Sequence, residues 1–383
     1  MRALLSVCER EQTWLFRHIR DLVACESPST DRAPLDLCAA LLAMQLEGAG
    51  ATVRRVPAGA TSDHLVAEWH GGARRVMLLG HYDTVWPVGQ LARMPIREED
   101  GRLFGPGVYD MKAGLVMGML AVRALVESVR ETARPHVSML VTADEEVGSA
   151  TSRALIEQMA REHDAVLVLE PALPGGGVKT ARKGVGEFEI VARGVSSHAG
   201  ADPAAGASAV HEIARQILAV ETLRDPRRGI SVNAGVVAGG TRGNVVAEHA
   251  RALVDVRVSR LEDGPRLTEA FHALRPVDPR VTLEVNGRID RPPMERSEQV
   301  LKLYQLARSV AAELGDDLAE GGTGGASDGN FTAAIGVPTL DGLGALGDGA
   351  HALHEHVVVG LLPRRAALVA GLLARFGRVE DTA

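Results

Sequence analysis

The chain holds only three cysteines, Cys8, Cys25 and Cys38, an odd number confined to the N-terminal segment and lacking the paired spacing of zinc-binding thiolates. A disulfide framework and a thiolate metal site are not supported, and each reads as a small buried side chain. Any metal must therefore be held by His, Asp and Glu. No apolar run approaches the ~18 to 20 residues that a membrane span needs. The first residues alternate charged and apolar side chains at helical spacing, with no h-region or small-residue cleavage site, so they read as an amphipathic helix and the expected location is the cytoplasm. Blocks rich in Lys and Arg are missing and the formal net charge is −7, which argues against nucleic acid as the main partner. Glycine-rich stretches occur, but none ends in the Gly-Lys-Ser/Thr of a phosphate loop. Repeats and low-complexity tracts are lacking too. Small molecules or peptides remain as partners, with neither nucleic acid nor membrane expected.

What is present is length and rhythm. At 383 residues, 46% hydrophobic and 24% charged, the chain has the composition of a globular protein and room for two domains. Helical pattern at Leu4 to Ala24 and Leu35 to Gly48 leads into strand-like segments, and from Val76 strands and helices alternate. A helix is expected from about Ala113 to Val129 and another near Ser152 to Arg161. This is α/β architecture with a mostly parallel sheet. A Pro/Gly-rich segment from Pro171 to Thr180 breaks the pattern as a turn or hinge. The rhythm then becomes strand (Gly186 to Ala192), helix (Asp202 to Thr222), strand (Ile230 to Ala238), strand (Val245 to Val258), helix (Leu267 to Leu274) and strand (Arg280 to Asn286). That is the ferredoxin-like β-α-β-β-α-β order, which reads as an inserted α+β domain. The expected division is a catalytic domain in two parts, residues 1–181 and 293–383, around a lid of residues 182–292.

Three apolar runs, Arg74 to Asp83, His136 to Glu146 and Asp164 to Pro171, each stop on residues that bind metals. Such runs suit strands of a sheet covered on both faces, and ligands bind beyond the carboxyl ends of those strands. His81, Asp83, Glu145, Glu146 and Glu170 would gather at that edge, where their charges repel unless a cation sits among them. Asp83, two residues after His81, can hold the far ring nitrogen of a liganding histidine. Asp110, between a Gly/Pro loop and a helix, reads either as an N-cap or as a carboxylate bridging two metal ions. Glu145 and Glu146 leave a strand in different directions, so one can bind metal while the other acts as general base. Late in the chain His351, His354 and His356 compete as a further ligand, and spacing does not choose among them. In the inserted segment, His198, Asn244, Arg257 and Arg288 or Arg291 could together hold a substrate carboxylate.

Six motifs in order, HYDTVWP, DGRLFGPGVYDMKAG, TADEEVGS, LEP, SSHAG and GAHALHE, from His81 to about His356, resemble the M20 family of dinuclear zinc amidohydrolases, most closely its glutamate carboxypeptidase-like branch. The resemblance implies a zinc-peptidase-like catalytic domain interrupted by a ferredoxin-like lid that forms a homodimer interface. It implies two Zn²⁺ per chain, with Co²⁺ or Mn²⁺ as substitutes. His81 and Glu170 would bind one ion, Glu146 and His351 the other, and Asp110 would bridge them. Glu145 would be the general base, Asp83 would orient His81, and His198 would polarise the scissile carbonyl across the dimer. Asn244, Arg257, Arg291 and the Gly-rich loop at Ser327 would seat the substrate carboxylate. His351 is preferred because Gly349-Ala350-His351 ahead of Glu355 follows the family pattern. The expected reaction is metal-dependent hydrolysis of an amide bond, releasing an amino acid with a free carboxylate. An N-acyl-amino-acid deacylase, a dipeptidase and a noncatalytic metal- or ligand-binding regulator are the alternatives.

Overall fold

The computed structural model describes residues 1–377, which fall into two compact units. The first stretch carries α1 (Arg2–Arg10), α2 (Gln12–Ala24), α3 (Arg32–Gly48), β1 (Thr52–Val56), β2 (His64–Trp69), β3 (Arg75–His81), β4 (Arg97–Glu99), β5 (Arg102–Phe104), α4 (Ala113–Ser128), β6 (His136–Thr142), α5 (Arg153–Arg161), β7 (Ala165–Val168) and β8 (Val178–Arg182). The second carries β9 (Gly184–Arg193), α6 (Ala209–Glu221), β10 (Ser231–Gly239), β11 (His249–Val258), α7 (Asp263–His272) and β12 (Thr282–Arg291). The last carries α8 (Glu298–Leu314), β13 (Glu320–Thr323), α9 (Gly329–Ala334), β14 (Thr339–Leu340), β15 (Gly347–Asp348), β16 (His356–Val358) and α10 (Leu362–Phe376).

The first unit comprises residues 1–181, 296–322 and 327–377 of the described chain. Its main sheet has the order β1-β2-β6-β3-β7-β14. The pairings of β3 with β6 and β7, and of β7 with β14, are parallel, whereas β2 joins β6, and β1 joins β2, antiparallel. Alternation along the central strands explains why both faces are covered. Val76 and Leu78 of β3, Val137 and Met139 of β6 and Leu167 of β7 enter the core that includes α4 and α10. Met77 and Leu79, Leu140, and Val166 and Val168 point the other way, against Ile156 of α5 and Phe331 of α9. With both faces buried, these strands have no polar side to show, so they read as continuous apolar runs.

The second unit, residues 182–295 with 323–326, is an antiparallel sheet ordered β10-β11-β9-β12. Phe188 and Ile190 of β9, Val254 and Val256 of β11, Ile213 of α6 and Phe271 of α7 form its core. The rings of Phe188 and Phe271 stack at 4.0 Å.

Several boundaries differ from expectation. The first helix is interrupted at Glu11, whose φ of −86° and ψ of 14° leave the helical well. The helix of the second unit begins at Ala209 rather than Asp202: Ser208 accepts from the His211 backbone N–H as its N-cap, and Pro203 and Gly206 sit in the non-helical stretch before it. The strand expected from Val245 starts at His249.

Candidate metal centre

β3 delivers His81 as its last residue. A Cβ on the preceding Gly80 would lie 2.7 Å from both Leu115 Cδ2 and Met111 Cε, so a side chain there would have to displace those two buried side-chain ends. His81 is almost fully buried. Its Nδ1 lies 3.0 Å from the Asp83 carbonyl oxygen and 3.3 Å from Asp83 Oδ1. Two acceptors on that side place the proton on Nδ1 and leave the Nε2 lone pair facing inward. Nε2 lies 3.3 Å from Asp110 Oδ1, 3.4 Å from Glu170 Oε1 and 4.0 Å from Glu145 Oε2.

Asp83 does more than orient the imidazole. Its Oδ1 accepts from the Glu145 backbone N–H and its Oδ2 from that of Glu146, both at 3.2 Å. Ser29 Oγ donates to Oδ2 at 2.7 Å. One buried carboxylate therefore fixes the histidine and the turn that presents the two glutamates. Asp144, the first of the three neighbouring acids, points away from them, and its Oδ2 accepts from both the backbone N–H and the hydroxyl of Thr151 at 2.7 Å.

Asp110 is not a helix cap, because the N-cap position of α4 is Lys112. It stands instead between the two histidines, Oδ1 toward His81 as above and Oδ2 3.4 Å from His351 Nε2. His351 Nε2 also lies 3.2 Å from Glu146 Oε2. His351 occupies a left-handed backbone position, φ 60°, in the turn after β15. Of the three late histidines it alone pairs with these acids; His356 Nδ1 faces the His354 carbonyl oxygen.

The loop bearing Asp110 is clamped by a residue that sequence reasoning used only as a landmark. Glu355 is fully buried, and its carboxylate accepts from the backbone N–H groups of Gly107 (2.9 Å), Tyr109 (2.9 Å) and Asp110 (3.1 Å) and from Trp86 Nε1 (2.8 Å). Lys112, also buried, donates from Nζ to the carbonyl oxygens of Leu22 and Cys25, tying the start of α4 to the end of α2. An acid four residues after His351 was the visible signal for Glu355; nothing in the sequence marked Lys112.

The electrostatics of this cage call for positive charge. Burial opposes protonation of His81, yet Asp110, Asp83 and Glu170 lift its pKa well above the ordinary value. Asp110 and Glu146 raise that of His351 to about 10. Burial alone would raise the Asp110 carboxyl, but His351 and His81 hold it below the usual carboxylate range. Burial, reinforced by the charge of Asp110, pushes Glu146 up.

The donor set fits divalent cations. His81 Nε2, Asp110 Oδ1 and Glu146 Oε1 are buried yet make no hydrogen bond among the described residues, and one ligand atom from each of these three side chains can be drawn within 4.8 Å of the others. Buried polar atoms normally find partners. The nitrogen–oxygen separations of 3.2 to 3.4 Å exceed those of a charge-assisted hydrogen bond, so the groups surround a space rather than bonding across it. Imidazole and carboxylate together suit zinc and its first-row neighbours.

The remaining predicted site residues fall in the second unit and at Ser327. In the second unit His198 is exposed in the loop after β9, and its Nδ1 accepts from the backbone N–H groups of Gly200 and Ala201 at 3.1 and 3.0 Å. That fixes the neutral tautomer with Nε2 as a donor. The carbonyl oxygen of Asn244 accepts from the Ala199 N–H, joining its loop to that of His198. Arg257 is paired with Asp255, its Nη2 2.8 Å from Oδ2, and Arg291 is buried at the end of β12. Arg288 is exposed and paired with Asp290. In the first unit Ser327 is fully buried, its hydroxyl donating to Asp341 Oδ2 at 2.6 Å.

Residues 77–375 match the family described as Peptidase family M20/M25/M40. Carboxypeptidase G2 of Pseudomonas sp. (strain RS-16) is 29% identical, the alignment covering 98% of this chain and 92% of that protein. Succinyl-diaminopimelate desuccinylase of Cereibacter sphaeroides (strain KD131) is 32% identical over 92% of this chain and 96% of its own length. Among solved structures, aminopeptidase PepT from Bacillus cereus superposes with a TM-score of 0.78 at 21% identity, covering 96% of this chain and 99% of that one. The YXEP protein of Bacillus subtilis, described as a dinuclear metal binding peptidase from the M20 family, superposes at 0.70 with 17% identity, covering 96% and 98%. These two show the shared fold. By the family match across most of its length, the chain belongs to peptidase family M20/M25/M40 and is a hydrolase.

Proposed function

We propose that this hydrolase cleaves an amide bond in a peptide or N-acyl amino acid, releasing an amino acid with a free carboxylate, and that it does so with two zinc ions per chain. The observation that carries the reading is Asp110, whose two oxygens face the Nε2 atoms of His81 and His351 at 3.3 and 3.4 Å. A carboxylate aimed at two imidazoles, with Glu170 beside one and Glu146 beside the other, is a ligand set for two cations sharing a bridge. Bound there, the metal pair would supply Lewis-acid polarisation and acidify a water. Glu145 is held by Asp83 through its backbone N–H, with its Oε2 4.0 Å from His81 Nε2. From that place its carboxylate takes the proton of the attacking water and passes it to the leaving nitrogen, a role that contributes about 10² to 10⁴-fold.

His198, as an Nε2 donor, suits stabilisation of the oxyanion. In this reading it acts on the site of a partner in a homodimer formed through the second unit. Asn244, Arg257 and Arg291 contribute to the seat for the substrate carboxylate. Ser327 shapes the Gly-rich loop through Asp341. Cobalt or manganese would substitute for zinc, and the site of action is the cytoplasm. No helix among the described residues is long and apolar enough to cross a membrane.

Turnover of a panel of acyl-glutamates, N-succinyl amino acids and dipeptides, before and after chelation, tests the reading. Activity that is lost with chelator and restored by zinc supports it, and the preferred panel member separates carboxypeptidase from deacylase and dipeptidase. A chain that turns over nothing in the panel even with zinc, cobalt or manganese restored would sink it.

A further inference from the structure

The second unit contains a concavity of ≈ 530 Å³ whose walls include the loop that follows His198 and the loop that carries Asn244. That volume is the size of a small-molecule site. Its charge is one-sided. Arg215, Arg242 and Arg280 line it together with His211, against the single carboxylate of Asp278. Asp278 is already taken: Arg280 binds it through Nε and Nη2 at 3.1 and 2.8 Å and donates from Nη1 to the Ala204 carbonyl oxygen at 2.9 Å. Arg280 thereby fixes the wall near Pro203. Arg215 lies 3.5 Å from Glu212 Oε2, and its charge also helps to hold the Asp278 carboxyl low. The Glu212 carboxylate is itself fully buried and occupied by the backbone N–H groups of Val277 and Asp278 and by Gln216.

Arg242 differs from these. Its backbone carbonyl oxygen accepts from the Val245 N–H at 3.2 Å, while its guanidinium is exposed and makes no hydrogen bond or ion pair with any described residue. The His211 ring is likewise without one, although its backbone N–H donates to Ser208 Oγ. Most surface arginines of this unit do have acidic partners, including Arg228, Arg251, Arg257, Arg266 and Arg288. A guanidinium without a partner, beside a second basic group in a concave wall, presents a fork of donors matched to an oxyanion.

We propose that this concavity, with Arg242 and Arg215 as its principal contacts, is a binding subsite for a small oxyanion. Two sources carry that chemistry: a second carboxylate on the acyl side of the substrate, away from the scissile bond, and a free anion such as inorganic phosphate. The first source rests on the amide-hydrolase reading and on the role given there to His198; the second does not. Asn244 lies two residues after Arg242, and the Ala199–Asn244 hydrogen bond of 3.0 Å holds their loop against that of His198. The concavity therefore adjoins the two loops that carry His198 and Asn244, through Ala199, Gly243 and Val245.

The test uses the full chain as wild type, Arg242→Ala, Arg242→Lys and Arg215→Ala, with two readouts. The first is binding of inorganic phosphate by calorimetry. The second is the ratio of KM values for a pair of substrates sharing one leaving amino acid, one with an N-succinyl group and one with an uncharged N-butanoyl group. A hydrogen-bonded charge contact contributes about 1.5 to 3 kcal/mol, or roughly 10- to 150-fold in affinity. If the acyl carboxylate is the ligand, Arg242→Ala raises the succinyl-to-butanoyl KM ratio at least 10-fold, Arg215→Ala raises it in the same direction, and Arg242→Lys recovers part of it. If the ligand is a free anion, wild type binds phosphate, Arg242→Ala weakens that binding 10-fold or more, and the KM ratio stays fixed. A wild type that binds no phosphate, and a KM ratio unmoved by any of the three changes, would overturn the proposal. Should none of the substrates be turned over, the hydrolase reading fails, and phosphate binding alone then decides the subsite.

Discussion

Replacing Glu355 with alanine should cost the protein both stability and metal. Its carboxylate is fully buried and gathers four donors, the N–H groups of Gly107, Tyr109 and Asp110 and the indole of Trp86, at 2.8 to 3.1 Å. Alanine removes all four acceptor contacts at once. Each buried donor left unsatisfied costs about 1 to 3 kcal/mol, but relaxation and water entry into the vacated volume recover part of that sum. A net loss of about 3 to 5 kcal/mol is expected, a large share of the 5 to 15 kcal/mol typical of a folded domain. The second consequence is specific to the site. With its loop unclamped, Asp110 no longer holds one oxygen toward each histidine, and loss of such support typically weakens metal binding about 10- to 100-fold. Urea denaturation of the metal-free protein reads the first effect, and competition with a chromogenic chelator reads the second. Glu355→Gln keeps the shape and one acceptor oxygen but turns an amide NH₂ toward N–H donors, so it should fall between wild type and Glu355→Ala. A Glu355→Ala protein with the wild-type denaturation midpoint and unchanged metal affinity would refute the clamp.

Three further outcomes follow from contacts elsewhere in the chain. Glu145→Gln should keep the metal content of wild type and lose about 10²-fold or more in kcat, since the amide cannot accept the proton; a wild-type rate excludes Glu145 as the base. Gly114→Ala should lower stability by about 1 to 3 kcal/mol, because the new Cβ would lie 2.1 Å from the Leu169 carbonyl oxygen and push α4 off the segment that leads to Glu170; an unshifted melting temperature contradicts that contact. Asp263 in the second unit is fully buried, and although burial alone would raise its pKa, Arg228 and Arg266 hold it below the ordinary carboxyl range. A carboxyl whose folded pKa is depressed adds stability above its unfolded value of about 3.9, and that stability is lost as pH falls below it. Asp263→Asn should therefore destabilise the protein by about 1 to 3 kcal/mol at pH 7, with the gap to wild type narrowing as pH falls below about 3.9; a gap independent of pH would assign the effect to packing.

Much of the sheet was legible because the central strands are buried on both faces, which turns Val76 to Leu79 and Ala165 to Val168 into uninterrupted apolar runs. The short edge elements were not: β4, β5, β15 and β16 have two or three residues each and little periodicity to read. The antiparallel joining of β2 to β6 was also hidden, since strand direction is set by connections and not by composition. At the site, position beyond a strand end singled out His81, Glu145, Glu146 and Glu170. Asp110 looked the same as a helix cap, and the readings separate only in the structure, where Lys112 holds the cap position and Asp110 stands between two imidazoles. His351 needed the family pattern, because three histidines within six residues are equivalent until the chain turns at φ 60°. Glu355 and the double grip of Asp83 on the Glu145 and Glu146 amides depend on side chains meeting backbone from distant segments, which no local spacing encodes.

The central claim is that Asp110 joins two metal positions, one on His81 and Glu170 and one on His351 and Glu146. Its most direct test is metal stoichiometry by mass spectrometry on protein purified without added metal, then dialysed with a measured excess of zinc, for wild type and Asp110→Ala. Two ions per wild-type chain, and loss of tight binding at both positions in Asp110→Ala, is the expected result. One ion or none on the wild type, or two ions retained with unchanged affinity after Asp110 is removed, would contradict a bridged pair.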